Sequence, residues 1–353
     1  MQKELFTRKL IEWYNFHKRE LPWRNTNDPY KIWLSEIILQ QTRIAQGLPY
    51  YHKFIEKYPD LQHFSEASEN EILWLWQGLG YYSRARNMLF CAKTLQHDHG
   101  GHFPESFEEL RRLKGIGDYT AAAIASFAFG KKVAVLDGNV FRVLARVFGI
   151  NKDISQPAVK KYFFQLASQI IPDVRPDIYN QAIMEFGALQ CVPKQPNCRN
   201  CILKNDCIAY KNSLQDVLPV KSKRPKIRSR YFYYLVISNE KGFYMKKRHP
   251  GDIWTGLYDF LLIETDEMKD PETINDLFQE KFGFRFFSKS ISSEYRHILT
   301  HQKIITQFIK VDIGAECLKT LINQTNIQLY TPTEIAQMPK PNLIYNFLNQ
   351  SDF

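Results

Sequence analysis

The stretch CVPKQPNCRNCILKNDC, residues 191–207, holds four of the chain's six cysteines in the spacing C-x6-C-x2-C-x5-C. A two-residue gap lets two thiolates bite one centre, and the wider gaps let the chain wrap round it. Cys191, Cys198, Cys201 and Cys207 therefore suit either a zinc ion or an iron–sulfur cluster. Structural zinc usually shows two C-x2-C pairs, so one pair with wide flanks fits the larger cubane better. Cys91 and Cys317 stand alone, and such clustering in a long chain argues for metal over a disulfide framework. Lys194, Arg199 and Lys204 lie between or beside the ligands and can present cations to phosphate.

Outward from that loop, the 353 residues make two domains or three at ~100–200 residues each. The 47 Lys and Arg exceed the 37 Asp and Glu, and the net charge of +10 favours an anionic partner, nucleic acid first. A composition 44% hydrophobic and 24% charged excludes wholesale disorder and fibrous repeats. No segment reaches the ~18–20 apolar residues that span a bilayer. Met1 to Leu10 mixes Lys3, Glu4, Arg8 and Lys9 with no apolar run. No secretory signal is expected, and a cytoplasmic location is.

From Lys3 to about Tyr210, apolar residues recur every three or four positions between Gly and Pro punctuation. The spacing predicts helices over 69–76, 83–96, 119–129, 140–148, 158–170 and 179–189. Asp28-Pro29 marks another start, because Asp can cap and Pro suits the first turn. Lys221 to Arg230 carries six basic residues in ten and no acid, and reads as the densest part of a linker over 213–230. Beyond it the texture changes to strands over 231–238, 242–247, 284–287 and 303–311, with short helices over 277–282 and 333–338. The expected organisation is a mainly α domain over 1–212 and an α+β domain over 231–353.

The run Leu113-Lys114-Gly115-Ile116-Gly117-Asp118-Tyr119 puts two glycines in a turn before a helix. Gly115 and Gly117 allow a tight turn and a close approach to DNA, and the N–H groups that follow can bind a phosphate oxygen. This turn, with the cysteine loop closing a helical domain, resembles the endonuclease III family of base-excision glycosylases. The resemblance implies a helix-hairpin-helix glycosylase fold of two lobes around a DNA groove. It also implies a [4Fe-4S] cluster on the four cysteines of 191–207.

Three features resemble the adenine-glycosylase (MutY-type) branch of that family. Glu36, four residues after Ile32 and three before Leu39, lies on the apolar stripe of a helix. Burial there can raise a carboxyl pKa by ~3–5 units, which suits a general acid; read alone, it is a buried Glu paired with an Arg before it is an acid, and the resemblance reverses that order. Asp137 leaves an apolar stretch and precedes a helix; read alone, it is a turn or cap. In the branch both are catalytic, and the endonuclease III branch generally lacks the Glu. At Tyr119, bifunctional relatives carry the Lys that forms a Schiff base with the sugar, which a phenol cannot do.

The resemblance therefore implies a monofunctional enzyme of base excision repair. It would remove adenine mispaired with 8-oxoguanine, and with guanine, from double-stranded DNA. Flipping the nucleotide out would cost a few kcal/mol. Glu36 would then protonate N7, and ionised Asp137 would stabilise the oxocarbenium-like sugar. Trp23, Arg24 and Glu185 match motifs lining the adenine pocket, with Tyr119 beside them and Asn139 supporting the catalytic water. Arg19 is expected at a backbone phosphate. Gln41 and Tyr81 match residues that wedge into the base stack, and Leu79 shares the glycine-rich run with Tyr81. A monomer is expected, with other repair proteins as further partners.

Trp254 to Phe260 fits the G-L-[WY]-[ED]-F run of a Nudix-like module, which in this branch reads 8-oxoguanine. The hydrolytic Nudix helix needs R-E-x-x-E-E; residues 276–284 keep Glu280 and Gly283 but lack the Arg and two of the three Glu. A binding module without pyrophosphatase activity is expected. Thr300 and His301 are the counterparts of the lesion-reading loop, with Leu299 in place of its aromatic. Three rivals differ in outcome. A bifunctional glycosylase/lyase would trap on DNA with borohydride, a nucleotide hydrolase would release pyrophosphate, and a non-catalytic DNA-binding iron–sulfur protein would free no adenine.

Overall fold

The computed structural model describes residues 3–222, 227–299 and 301–350. Twelve helices come first: α1 Lys3–His17, α2 Pro29–Ile38, α3 Ile44–Lys57, α4 Leu61–Glu66, α5 Glu69–Leu75, α6 Ser83–Asp98, α7 Phe107–Arg112, α8 Asp118–Phe129, α9 Gly138–Val147, α10 Pro157–Ile170, α11 Pro176–Leu189 and α12 Ile208–Lys211. A mixed region follows: β1 Arg228–Asn239, β2 Gly242–Lys247, β3 Tyr258–Asp259, β4 Leu261–Thr265, α13 Pro271–Phe282, β5 Phe287–Ile291, β6 Tyr295–Ile298, β7 Gln302–Asp312, α14 Ala315–Thr325, β8 Gln328–Tyr330, α15 Pro332–Gln337 and α16 Asn342–Leu348. The contacts divide the chain into one unit of residues 1–66 and 87–223 and another of 67–86 and 224–353.

Packed apolar clusters hold the first unit together. Phe6, Leu10, Trp13 and Tyr14 of α1 form a helical stripe that meets Val140, Val143, Leu144 and Val147 of α9. Phe163 of α10 and Tyr179, Ile183 and Phe186 of α11 complete that core. Another cluster is aromatic: Trp33 of α2 packs edge-on against Phe64, with Tyr30, Phe54 and Phe103 around them. Asp28 caps α2 by accepting from the Tyr30 N–H at 2.9 Å, and Pro29 takes the first turn, as the dipeptide predicts. Between α7 and α8 the chain turns at Gly115, whose φ is +86°. A Cβ there would lie 2.7 Å from that of Asn87, so glycine is required twice over.

Residues 213–222, expected as linker, pack on this unit instead. Leu218 is buried, its carbonyl accepts from Arg146 Nε at 3.0 Å, and the Val220 carbonyl accepts from the Ile154 N–H at 3.0 Å. Leu214 and Leu218 supply apolar area that composition alone, dominated by the lysines that follow, conceals.

In the second unit β1 pairs in parallel with β7, from Arg228↔Gln302 to Ile237↔Val311, and antiparallel with β4. Both faces of β1 are covered. Tyr233, Leu235 and Ile237 pack with Ile274, Phe278 and Phe282 of α13. The alternate residues Phe232 and Tyr234 join Phe260 and Phe308, and Phe308 stacks on Phe347 of α16 at 3.9 Å. A strand covered on both sides reads as a continuous apolar run rather than an alternation. The strand expected at Phe284–Phe287 starts only at Phe287, because the rings of Phe284 and Phe286 turn inward on Phe278 at 5.4 and 5.2 Å. Residues 67–86 belong to this unit through contacts such as Trp74 Nε1 to the Ala336 carbonyl, 3.0 Å, and Lys247 Nζ to Asn70 Oδ1, 2.9 Å.

Candidate active site

Glu36 sits in the last turns of α2, a helix buried along nearly its whole length. Its carboxyl is only 7% exposed, and burial pushes its pKa up to about 7 from an ordinary 4.5. The Tyr119 hydroxyl, one residue into α8, donates to Glu36 Oε2 at 2.6 Å and pulls the other way. A carboxyl poised at neutrality in an apolar wall can hold a proton and release it.

Asp137 is the N-cap of α9. Its Oδ1 accepts from the Val140 N–H at 2.7 Å and its Oδ2 from Asn139 Nδ2 at 2.6 Å. Burial raises its pKa, and these donors, which favour the charged form, counter the rise. The helix N-terminus adds positive potential at the same carboxylate. Asn139 is in turn held by Arg142, whose Nη2 donates to Asn139 Oδ1 at 2.8 Å. Its side chain thus supports Asp137 directly. Gly187 of α11 touches the same residue: a Cβ there would sit 2.6 Å from Asn139 Cβ.

Glu36 and Asp137 line one cleft of about 730 Å³, together with Arg19, Trp23, Arg24, Tyr119, Asn139 and Glu185. Every residue expected at the adenine pocket therefore faces a common space. Glu185, 1% exposed in its side chain, receives Arg19 through Nε and Nη2 at 2.7 and 2.6 Å and Arg24 Nη2 at 2.7 Å. Burial alone would raise this carboxyl, but the two guanidinium groups hold it at about 2. Both its oxygens are committed, so Glu185 fixes the two arginines, and Arg19 is turned inward. Trp23 is buried edge-on against Tyr51, centroids 5.0 Å apart.

The expected DNA contacts fall in several places. Gln41 is exposed in a left-handed turn, φ +58°, whose neighbours Leu39 and Thr42 line the cleft. Gly117 is the N-cap of α8, with open space where a Cβ would be. Leu79 and Tyr81 belong to the other unit; Leu79 is buried, while Tyr81 is 44% exposed at φ +49°. His301 is exposed at the β6–β7 turn, closed by the Leu299 N–H donating to the Gln302 carbonyl at 2.8 Å. Thr300 lies outside the described residues.

The four cysteines of 191–207 line one small pocket with Phe186, Leu203 and Ala209. Among the described residues no three of them converge on a single-ion point. Arg146 Nη1 approaches Cys191 Sγ at 3.4 Å, and the Leu203 N–H donates to Cys201 Sγ at the same distance. Donors aimed at sulfur suit thiolate ligands. Arg142 and Arg146 tie this loop to α9: Arg142 Nε donates to the Cys191 carbonyl at 2.7 Å, and Arg146 reaches the Val192 and Pro193 carbonyls at 2.8 and 3.0 Å. The sequence reading missed both arginines. Two cations at i, i+4 inside the apolar stripe of α9 were the signal that could have found them.

Comparison with known proteins bears on the whole chain. Residues 34–169 match the profile of the HhH-GPD superfamily base excision DNA repair proteins, and 232–350 match that of the NUDIX domain. The adenine DNA glycosylase of Buchnera aphidicola subsp. Baizongia pistaciae is 36% identical over 303 residues, 84% of this chain and 83% of that protein. That of Buchnera aphidicola subsp. Acyrthosiphon pisum is 30% identical over 352 residues, 98% and 99% of the two chains. Among solved structures, a thermostable thymine-DNA glycosylase aligns with a TM-score of 0.55 at 31% identity, over 60% of this chain and 97% of its own.

Proposed function

Because this chain belongs to the adenine DNA glycosylase family, we propose that its Glu36–Asp137 cleft hydrolyses the N-glycosidic bond of adenine flipped from a duplex, opposite 8-oxoguanine or guanine. One observation carries this reading. Glu36, with its pKa raised to about 7, shares one cleft with a second, hydrogen-bonded carboxyl at Asp137. Two acids in environments this different can take opposite roles.

Glu36 gives its proton to N7 of the extruded adenine, which then accepts the electron pair of the breaking C–N bond. Positive charge grows on the sugar, and Asp137, held by Val140 and Asn139, stabilises it while water adds. Tyr119 keeps Glu36 in place through its 2.6 Å hydrogen bond, and no amine stands there to form a Schiff base. Arg24, fixed by Glu185, points its guanidinium into the cleft wall where it can hydrogen-bond the base.

Cys191, Cys198, Cys201 and Cys207 would hold a [4Fe-4S] cluster. Four sulfurs line one shared pocket, with Arg146 donating to one of them, and four thiolates are the donor set that holds such a cluster. Bound there, the cluster would cross-link residues 191–207 to one another, while Arg142 and Arg146 tie that loop to α9, whose N-cap is Asp137. Residues 231–353 would read 8-oxoguanine through the turn that holds Thr300 and His301. The protein acts as a monomer on cytoplasmic or nucleoid DNA. Among the described residues no helix is long and apolar enough to cross a membrane.

The test is incubation with an 8-oxoguanine·A duplex, scoring free adenine and strand breaks before and after alkali. Adenine should be released, with breaks only after alkali, and Glu36→Gln should abolish release while duplex binding persists. Normal turnover by that variant overturns the assignment of the acid. Breaks without alkali overturn the monofunctional one.

A further inference from the structure

The α+β unit contains a concavity that the excision chemistry does not use. It holds about 370 Å³ and is lined by Lys246, Arg248, His249, Leu262, Glu264 and Lys281. These stand on regular elements: Lys246 near the end of β2, Leu262 and Glu264 on β4, and Lys281 in the last turn of α13.

The charges here are unevenly matched. Arg248 is satisfied by Asp259, 2.7 Å, and Asp252, 2.9 Å. Glu264 is satisfied by Arg230, which donates to both of its oxygens at 2.6 Å. For Lys246 and Lys281 no carboxylate or other hydrogen-bond acceptor is in reach among the described residues; Lys281 lies only over the Phe282 ring, at 5.5 Å. Burial, with repulsion from Lys281 and Arg248, pushes the Lys246 ammonium below its ordinary range despite the attraction of Asp259. Two cations that repel one another and lack a directly paired carboxylate are relieved by an anion between them.

The sequence of α13 agrees. It keeps Glu280 and Gly283 of the hydrolytic Nudix pattern and places Lys281 where that pattern sets the second of its paired acids. An ammonium there supplies positive charge with no divalent ion and repels one. We infer that this pocket binds a phosphate group directly, through Lys246 and Lys281, without a metal. The group comes either from a free nucleotide or from a DNA backbone, since both present the same oxyanion.

The experiment uses the full chain with inorganic pyrophosphate, titrated calorimetrically at low ionic strength in excess EDTA. Binding is expected, and Lys246→Gln and Lys281→Glu should each weaken it at least about tenfold, the value of one charge-assisted contact. Lys281→Gln, at an exposed position, should weaken it in the same direction if either variant fails to fold. Pyrophosphate that competes with an 8-oxoguanine·A duplex identifies the backbone as the source. Undiminished pyrophosphate binding to the duplex-bound protein identifies a free nucleotide. No binding in EDTA, binding that requires Mg²⁺, or equal binding by folded variants overturns the inference.

Discussion

At the level of single residues, the raised pKa of Glu36 couples catalysis to stability. Between pH 4.5 and about 7 the folded protein keeps a proton on Glu36 that the unfolded chain has released. Folding stability from this group therefore falls as pH rises through that window, by ~3 kcal/mol in all. Glu36→Gln keeps an acceptor for Tyr119 and removes the titration. Its melting temperature should exceed that of the wild type at pH 8 and converge on it near pH 5; a constant difference across pH would refute the buried acid. In single turnover, excision should decline as pH rises past about 7, because only the protonated form can donate. Tyr119→Phe deletes the bond that lowers the Glu36 pKa, so the falling limb should move to higher pH. Glu36 itself was legible from its place on an apolar stripe. The commitment of Glu185 to Arg19 and Arg24 was not, because it joins residues 166 and 161 positions apart.

Among the elements, α9 and α11 cross where Gly187 meets Asn139. A Cβ at 187 would lie 2.6 Å from Asn139 Cβ and 3.0 Å from its carbonyl oxygen. Gly187→Ala must separate the helices or shift Asn139, which supports Asp137. A loss of ~1–3 kcal/mol is expected from such overpacking, with excision slowed while duplex affinity stays; calorimetric unfolding and single-turnover rates read the two effects. An alanine variant with wild-type stability would show that the crossing has slack. Helix positions were readable from spacing and caps, as at Asp28-Pro29. The displaced β5 shows the limit of local reading: Phe284 and Phe286 have strand chemistry, but the ring of Phe278 offers them a better partner.

For the whole molecule, the excess of 47 basic over 37 acidic residues makes duplex affinity electrostatic at base. If some 6–10 phosphates are neutralised, affinity should fall ~10³–10⁵-fold between 50 and 200 mM salt; a flat salt profile would contradict electrostatic binding. The sequence by itself determined the helical periodicity, the caps and the cysteine spacing, because each depends on residues close together along the chain, and the charge surplus, because a sum over residues needs no fold. The tertiary structure alone decided that Glu36 and Asp137 open on one cleft and that Arg142 and Arg146 bind the cysteine loop to the Asp137 helix. It alone decided that residues 67–86 pack with the α+β unit and that Lys246 and Lys281 line one pocket. Those are distances between segments remote in sequence. They are fixed by which apolar faces bury each other, and no local pattern encodes that choice.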